Sequence, residues 1–299
     1  MVTAADRVID FLVCSGVRTF FGVPGGPVMP VFDAVLRHDG ARLIESRHET
    51  AAAFAAIGFW NITGQVPCVL VTAGPGGTNA VTGVAAAHCE QVPLVVLCGD
   101  VAQAGWGERM LQDMGGQGLQ VERIYQPVTR AQVRLTHPSC ASACALEVLE
   151  AATGAEVPGP ALLVAPLDVA AAEAPAGVLL RKQRGRLPRD GGLVDIARMT
   201  AEVLAAAERP LIVVGAGAGA SAWLVRQAAE TLNIPFTTTP RAKGLIDERH
   251  PLSLRGCGMA ASWWARRYTA KGVDAALVLG TDLDDCSIGP TPLVGPGAG

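Results

Sequence analysis

The sequence predicts an α/β protein made of two doubly wound parallel-sheet domains. Short apolar runs of four to seven residues, rich in β-branched types, recur along the chain. Stretches with helical spacing separate them, giving the β-α-β alternation of a parallel sheet. Glycine-rich turns follow several of the runs, at the carboxyl ends of strands, where open α/β sheets bind ligands.

In chain order, a helix over 3–15 leads to the strand "TFFGV" (19–23). A helix over 28–38, the strand "RLIES" (42–46), a helix over 49–63 and the strand "CVLVT" (68–72) follow. A helix over 77–89 then precedes "PLVVLCG" (93–99). The runs "PVTRAQVRL" and "PALLVAP" bracket a helix at 139–152, so residues 1–169 read as one domain. Residues 170–190 lose periodicity, gain Pro, Gly and the densest positive charge of the chain, and read as a linker. A second domain, 191–299, opens with a helix over 191–207 and the strand "PLIVVGAG". A helix to 232 and the strands "PFTTT" and "DAALVLGTD" continue it. The tail "SIGPTPLVGPGAG" has no pattern that would close a sheet, so this domain is expected to be partial, with an exposed edge that limits solubility.

With 299 residues and half of them apolar, the chain can build two cores. The net charge of −3 names no partner, and with no basic tract interleaved with aromatics a nucleic-acid partner is not expected. The opening "MVTAADRVIDF" carries charges where a secretory signal needs apolar residues, and no window is apolar enough for a membrane span. The eight cysteines form no C-x-x-C pair and no zinc spacing; most read as buried thiols of a reducing cytoplasm, and no metal site is expected in this chain.

Three glycine-rich turns are candidates for ligand contact: "VPGGPVMP" (23–30), "TAGPGGTNAVTG" (72–83) and "GAGAGA" (215–220). The last fits a loose dinucleotide fingerprint, but no acid follows at the distance that would hold a ribose. The sharper signal is "SRHE". From Thr50 to Cys89 there is no Asp, Glu, Lys or Arg, so Glu49 stands at the head of a charge-free stretch. A mere helix-start acid would be exposed, held by the macrodipole. The charge-free run and the two flanking turns predict instead a carboxylate facing an apolar crevice. His88 and Glu90, closing the next helix, read as surface cap residues.

Together "FFGVPGGPVMPVFDAV", "SRHETAAAFAAIGFWNITGQVPCVLVTAGPGGTNAVTGVAAAH" and "PLVVLCGDV" resemble the pyrimidine-binding domain of the thiamine-diphosphate enzymes, acetolactate synthase branch. "IPFTTTPRAKGLID" and "LVLGTDLDDCSIG" resemble that family's Rossmann-like central domain. The resemblance implies that Glu49 is catalytic, hydrogen-bonding a ring nitrogen of the cofactor's aminopyrimidine and favouring its imino tautomer. A carboxyl in an apolar cleft can share a proton in that way. Val23, with Pro24 and Gly25 of its turn, and Pro75 and Asn79 match cofactor contacts. Leu111 and Gln112 in "MLQDM" fall at the substrate pocket, where the family usually has Phe before the glutamine and Glu after it. Thr72 stands where some decarboxylase relatives keep a histidine.

Two departures shape the expectation. Flavin-binding members carry arginines where this chain has Val157, Asp282 and Cys286, which disfavours FAD. The family's G-D-G motif with a downstream Asn, which holds Mg²⁺ and the diphosphate, is absent from the sequence. The implied protein is therefore one subunit of a split, cytoplasmic enzyme. A partner chain would carry the diphosphate and Mg²⁺ domain, in a heteromer with two copies of each. Its reaction would be decarboxylation of a 2-oxo acid with carboligation. The alternatives are a non-catalytic paralogue that regulates or stabilises a related enzyme, and a nicotinamide oxidoreductase using the "GAGAGA" turn.

Overall fold

The computed structural model describes residues 2–174 and 192–288, apart from Arg109, Gln117, Ala155, Glu156 and Asp282. The chain divides into two compact units, Met1–Gly185 and Arg186–Gly299. The expected linker lies largely outside the described residues, as do Asp282 and the tail from Gly289.

The first unit is a six-stranded, wholly parallel sheet. Its strands are β1 (Thr19–Gly22), β2 (Arg42–Glu45), β3 (Cys68–Val71), β4 (Leu94–Asp100), β5 (Gln132–Arg134) and β6 (Pro160–Pro166), in the order β2-β1-β3-β4-β6-β5. The helices α1 (Ala4–Cys14), α2 (Met29–Arg37), α3 (Glu49–Thr63), α4 (Pro75–Cys89), α5 (Val121–Tyr125), α6 (Ala141–Ala152) and α7 (Leu167–Ala171) cover both faces.

Strand β3 explains why the runs are apolar throughout. Its Cys68 and Leu70 join one core with Ile9, Leu12, Phe32 and Val148, while Val69 and Val71 join the other with Ala53, Ala56, Ala80 and Val84. Side chains alternate across a strand, so a strand covered on both faces needs apolar residues at every position. Small residues let α3 and α4 approach closely: a Cβ on Gly83 would overlap that of Ala53.

The order of the sheet reverses between β1 and β3. From β1 the chain moves outward to β2, then returns across β1 to β3. The crevice outside the carboxyl ends of β1 and β3 is therefore a topological switch point, the place where open α/β sheets take ligands.

Four details differ from the sequence reading. The strand expected over 127–135 shrinks to Gln132–Arg134, because Gln126–Val128 forms a 3₁₀ turn around Pro127, which has no N–H to pair. Residues 170–174 belong to the first unit rather than to a linker: Ala170 and Ala174 are buried, and the amides of Ala4 and Ala174 bond to Ala172 and Val2. Only Cys68, Cys98, Cys144 and Cys257 are buried, whereas Cys14, Cys89 and Cys286 are exposed. His88 is not a surface cap. It is half-buried with an unpartnered Nδ1, and desolvation, then the Arg130 charge, pushes its pKa down.

The second unit has the strands β7 (Pro210–Val214), β8 (Phe236–Thr238), β9 (Ser253–Gly256) and β10 (Ala275–Leu279), all parallel in the order β10-β7-β8-β9. Helices α8 (Gly192–Ala206), α9 (Ala222–Leu232), α10 (Trp263–Thr269) and α11 (Asp285–Ile288) accompany them. The "GAGAGA" turn forms a 3₁₀ segment, Ala216–Ser221, ahead of α9. Gly215 and Gly217 donate their amides to the carbonyls of Leu279 and Gly280, at 2.7 and 2.9 Å. Those amides are engaged within the fold, which favours a packing turn over a phosphate cradle. Among the described residues no helix is long and apolar enough to cross a membrane.

Candidate active site

Glu49 lies at the switch point as the first residue of α3. The preceding His48 caps the helix, its Nδ1 accepting the Thr50 amide at 3.2 Å. The first turn of a helix favours a carboxylate through the macrodipole. Yet Glu49 is only 7 % exposed, so it is not the exposed acid of a mere helix start.

Its Oε2 accepts a hydrogen bond from Asn79 Nδ2 at 3.0 Å. Asn79 sits in the second turn of α4, and its carbonyl in turn accepts the Thr50 hydroxyl at 2.5 Å. The two helix N-termini are thus clasped at the acid. The other carboxylate oxygen, Oε1, has no hydrogen-bond partner among the described residues. It lies so close to Gly76 that a Cβ there would come within 3.3 Å.

Glycines beside this oxygen let the side chains of Thr72 and Gln112 pack directly against the backbone. Gly74 adopts φ 68°, ψ −123°, a conformation essentially closed to other residues. A Cβ on Gly76 would meet Thr72 Cγ2 at 2.7 Å, and one on Gly25 would meet Thr72 Oγ1 at 2.6 Å. Thr72 Oγ1 is itself buried with no hydrogen-bond partner. Tyr125, wholly buried, donates its hydroxyl to the Gly77 carbonyl at 2.6 Å and steadies the first turn of α4. Burial, with smaller contributions from Cys98 and Glu49, raises its pKa well above the ordinary phenol value.

Of the expected site residues, Gly25, Glu49 and Asn79 converge. Val23 is half-buried in the same turn as Gly25, while Pro24 and Pro75 are exposed beside the crevice. Gln112, at φ +64°, lays its side chain over Gly74, so that a Cβ there would come within 2.7 Å of Gln112 Cβ and Cγ. Leu111 is 85 % exposed and meets none of these groups. Tyr125 was invisible to sequence reasoning, since nothing in "VERIYQP" distinguishes it from a core aromatic.

The sequence matches known proteins. A family described as "Thiamine pyrophosphate enzyme, N-terminal TPP binding domain" matches residues 2–120, and one described as "Thiamine pyrophosphate enzyme, central domain" matches residues 197–296. The chain belongs to the thiamine-pyrophosphate enzymes. Within that family it is similar to an acetolactate synthase of Arthrospira platensis, with 32 % identity over 95 % of this chain and 50 % of the relative. A probable acetolactate synthase large subunit of Methanocaldococcus jannaschii is 33 % identical, over 94 % and 47 %. The isozyme 1 large subunit of Escherichia coli acetolactate synthase is 30 % identical, over 99 % and 51 %. The chain spans about half the length of these relatives.

Thiamine diphosphate, the cofactor that names the family, suits this crevice at its pyrimidine end. The free Oε1 of Glu49 and the unpartnered hydroxyl of Thr72 suit a nitrogen-bearing ring. Among the described residues no three His, Cys, Asp or Glu side chains converge on one point. Of the positions that weigh on FAD, Cys286 is exposed on α11.

Proposed function

We propose that this chain supplies the pyrimidine-binding half of a thiamine-diphosphate site in an acetolactate-synthase-like enzyme. The enzyme decarboxylates a 2-oxo acid and joins the product to a second carbonyl. A second chain carries the domain for the diphosphate and Mg²⁺, in a heteromer with two copies of each.

The observation that carries this reading is the buried Glu49, with Oε2 fixed by Asn79 and Oε1 free toward Thr72 and Gly76. Thiamine diphosphate, when bound, supplies a nucleophilic carbon and an electron sink for the loss of CO₂. The residues of this chain bind and orient its pyrimidine end. Glu49 Oε1 holds or shares a proton with a ring nitrogen, a transfer that needs a carboxyl at hydrogen-bond distance in a dry site. Asn79 keeps that carboxyl from rotating. Gly25 and Gly76 seat Thr72 against the backbone beside the acid, and Gln112 covers the crevice from the side of Gly74. The second chain is supported by α3, which carries no charge beyond Glu49 and exposes Phe54 (48 %) near the site and Ile62 (87 %) at its far end. An exposed apolar flank of that kind marks an interaction surface.

The test is reconstitution with a chain that carries G-D-G and a downstream Asn, taken from the same source by native co-purification. Release of CO₂ from a 2-oxo acid that needs both chains, thiamine diphosphate and Mg²⁺ is the expected result. Co-purification with a full-length synthase whose turnover does not depend on Glu49 would replace this reading with the regulatory one.

A further inference from the structure

We propose that Asp100 is a positioning residue that holds Gln112 over the crevice; this rests on the reading above, in which Gln112 covers that crevice. Asp100 ends β4 and is wholly buried. Its Oδ1 accepts the amides of Val101 and Met114, at 2.8 and 3.1 Å, and its Oδ2 accepts from Arg134 Nη1 at 2.8 Å. Arg134, on β5, also pairs through Nε with Glu122 and lies 5.3 Å from the centre of the Trp106 ring. Burial alone would lower the proton affinity of this guanidinium, but Glu122 and Asp100 raise it further, so Arg134 remains a cation. A carboxylate at this depth without partners costs several kcal/mol. Its partners here are two backbone amides and one cation, and both amides lie at the ends of the segment that carries Gln112.

Met114 is the second point of the clamp. Its amide is held by Asp100, its carbonyl accepts the Val121 amide at 3.1 Å, and its side chain is wholly buried. A Cβ on Gly77 would lie 2.9 Å from Met114 Sδ and Cε, so the side chain wedges against the first turn of α4. Gln112 stands two residues earlier, in a left-handed conformation that a loose segment would abandon. Between β4 and α5 the described backbone contains one 3₁₀ turn, Gln103–Gly105, and no strand. Asp168 accepts the Gln103 and Ala104 amides at 2.9 and 3.2 Å near its start, and Asp100 ties Val101 to Met114 across it.

The experiment compares Asp100→Asn and Asp100→Leu with the unaltered chain by hydrogen exchange. Asn keeps an acceptor for the two amides and loses the charge facing Arg134; Leu removes both. Expected is exchange at least about tenfold faster over 110–116 in the Leu variant and a smaller increase in Asn, with β3 and α4 unchanged. Unchanged exchange over 110–116 in both variants overturns the proposal. If the Leu variant does not fold, the Asn variant decides by the same criterion. In the reconstituted enzyme, Asp100→Asn is expected to raise KM for the 2-oxo acid about fivefold or more, with thiamine-diphosphate affinity within about twofold. Equal weakening of both overturns the positioning role in favour of a general structural one. An unaltered assembly that never binds thiamine diphosphate counts against the proposed function and leaves the exchange result standing.

Discussion

Glu49 has no ion-pair partner among the described residues, and its hydrogen bond to Asn79 offsets part of the cost of its burial. One carboxylate oxygen is held and the other is free, an arrangement suited to handing over a proton at a fixed point. Glu49→Gln keeps the size of the side chain and a carbonyl acceptor for Asn79, but its amide cannot exchange a proton with a ring nitrogen. Its expected effect in the reconstituted enzyme is a fall in kcat of about 10²–10⁴-fold, with little change in thermal stability. Steady-state assays at saturating cofactor, beside a melting curve, check both halves. This acid was legible in the sequence because forty uncharged residues follow it (Thr50–Cys89). Its clasp by Asn79 was not, since a contact between residues thirty apart depends on how two helices lie together.

At the scale of the element, helix ends carry much of the local specificity. Helix α1 begins with a capping box in which Thr3 Oγ1 accepts the Asp6 amide and the Asp6 carboxylate accepts the Thr3 amide at 2.7 Å. Burial alone would raise the Asp6 pKa, but the Thr3 hydrogen bonds and the Arg37 cation carry it below its ordinary 3.8. A carboxylate depressed in the fold contributes stability above the unfolded value, and this is lost as pH falls through the folded one. Asp6→Asn should therefore cost about 1 kcal/mol at pH 7, and the difference from wild type should shrink as pH falls below the ordinary 3.8. Urea unfolding across that range measures it. Between α3 and α4, Gly83→Ala sets two effects against each other. Helix propensity favours alanine by about 1 kcal/mol, whereas overpacking against Ala53 costs about 1–3, so the variant should be destabilised and should loosen the Glu49–Asn79 bond. A lower denaturation midpoint with weaker cofactor binding is the expected pair of readings.

The elements that sequence periodicity revealed are the long ones buried on a full face, such as α3 and α4 and the strands between the two cores. Those it missed, α5, α7, β9, α10 and α11, are four to seven residues long. Segments so short hold less than two periods of any pattern, and tertiary contacts form them. Tyr268 at the end of α10, bonded to the Pro210 carbonyl, is an example.

Across the whole molecule, cysteine chemistry reports the fold. Burial pushes the Cys68 and Cys98 thiols far above the ordinary range and raises Cys144 to about 11. At about pH 8 a thiol reagent should modify Cys14, Cys89 and Cys286 rapidly in the folded chain, and Cys68, Cys98, Cys144 and Cys257 only after denaturation. Peptide mass mapping of labelled sites distinguishes the two groups. In the second unit β10 lies at the edge of the sheet among the described residues, with Leu277, Val278 and Leu279 only half-buried. The sequence marked this strand by its apolar run, but could not say which neighbour it would have, because strand order depends on crossovers rather than on composition.

The single hydrogen at Gly83 has an evolutionary side. Four residues beyond Asn79 and about one helical turn along α4, it touches nothing that reacts, so a survey of chemistry-bearing residues would pass over it. One methyl group there would drive the helices apart at the clasp while leaving every motif of the site intact. A lineage drifting from enzyme to inert scaffold could take that step first, and its sequence would go on advertising a reaction it no longer performs.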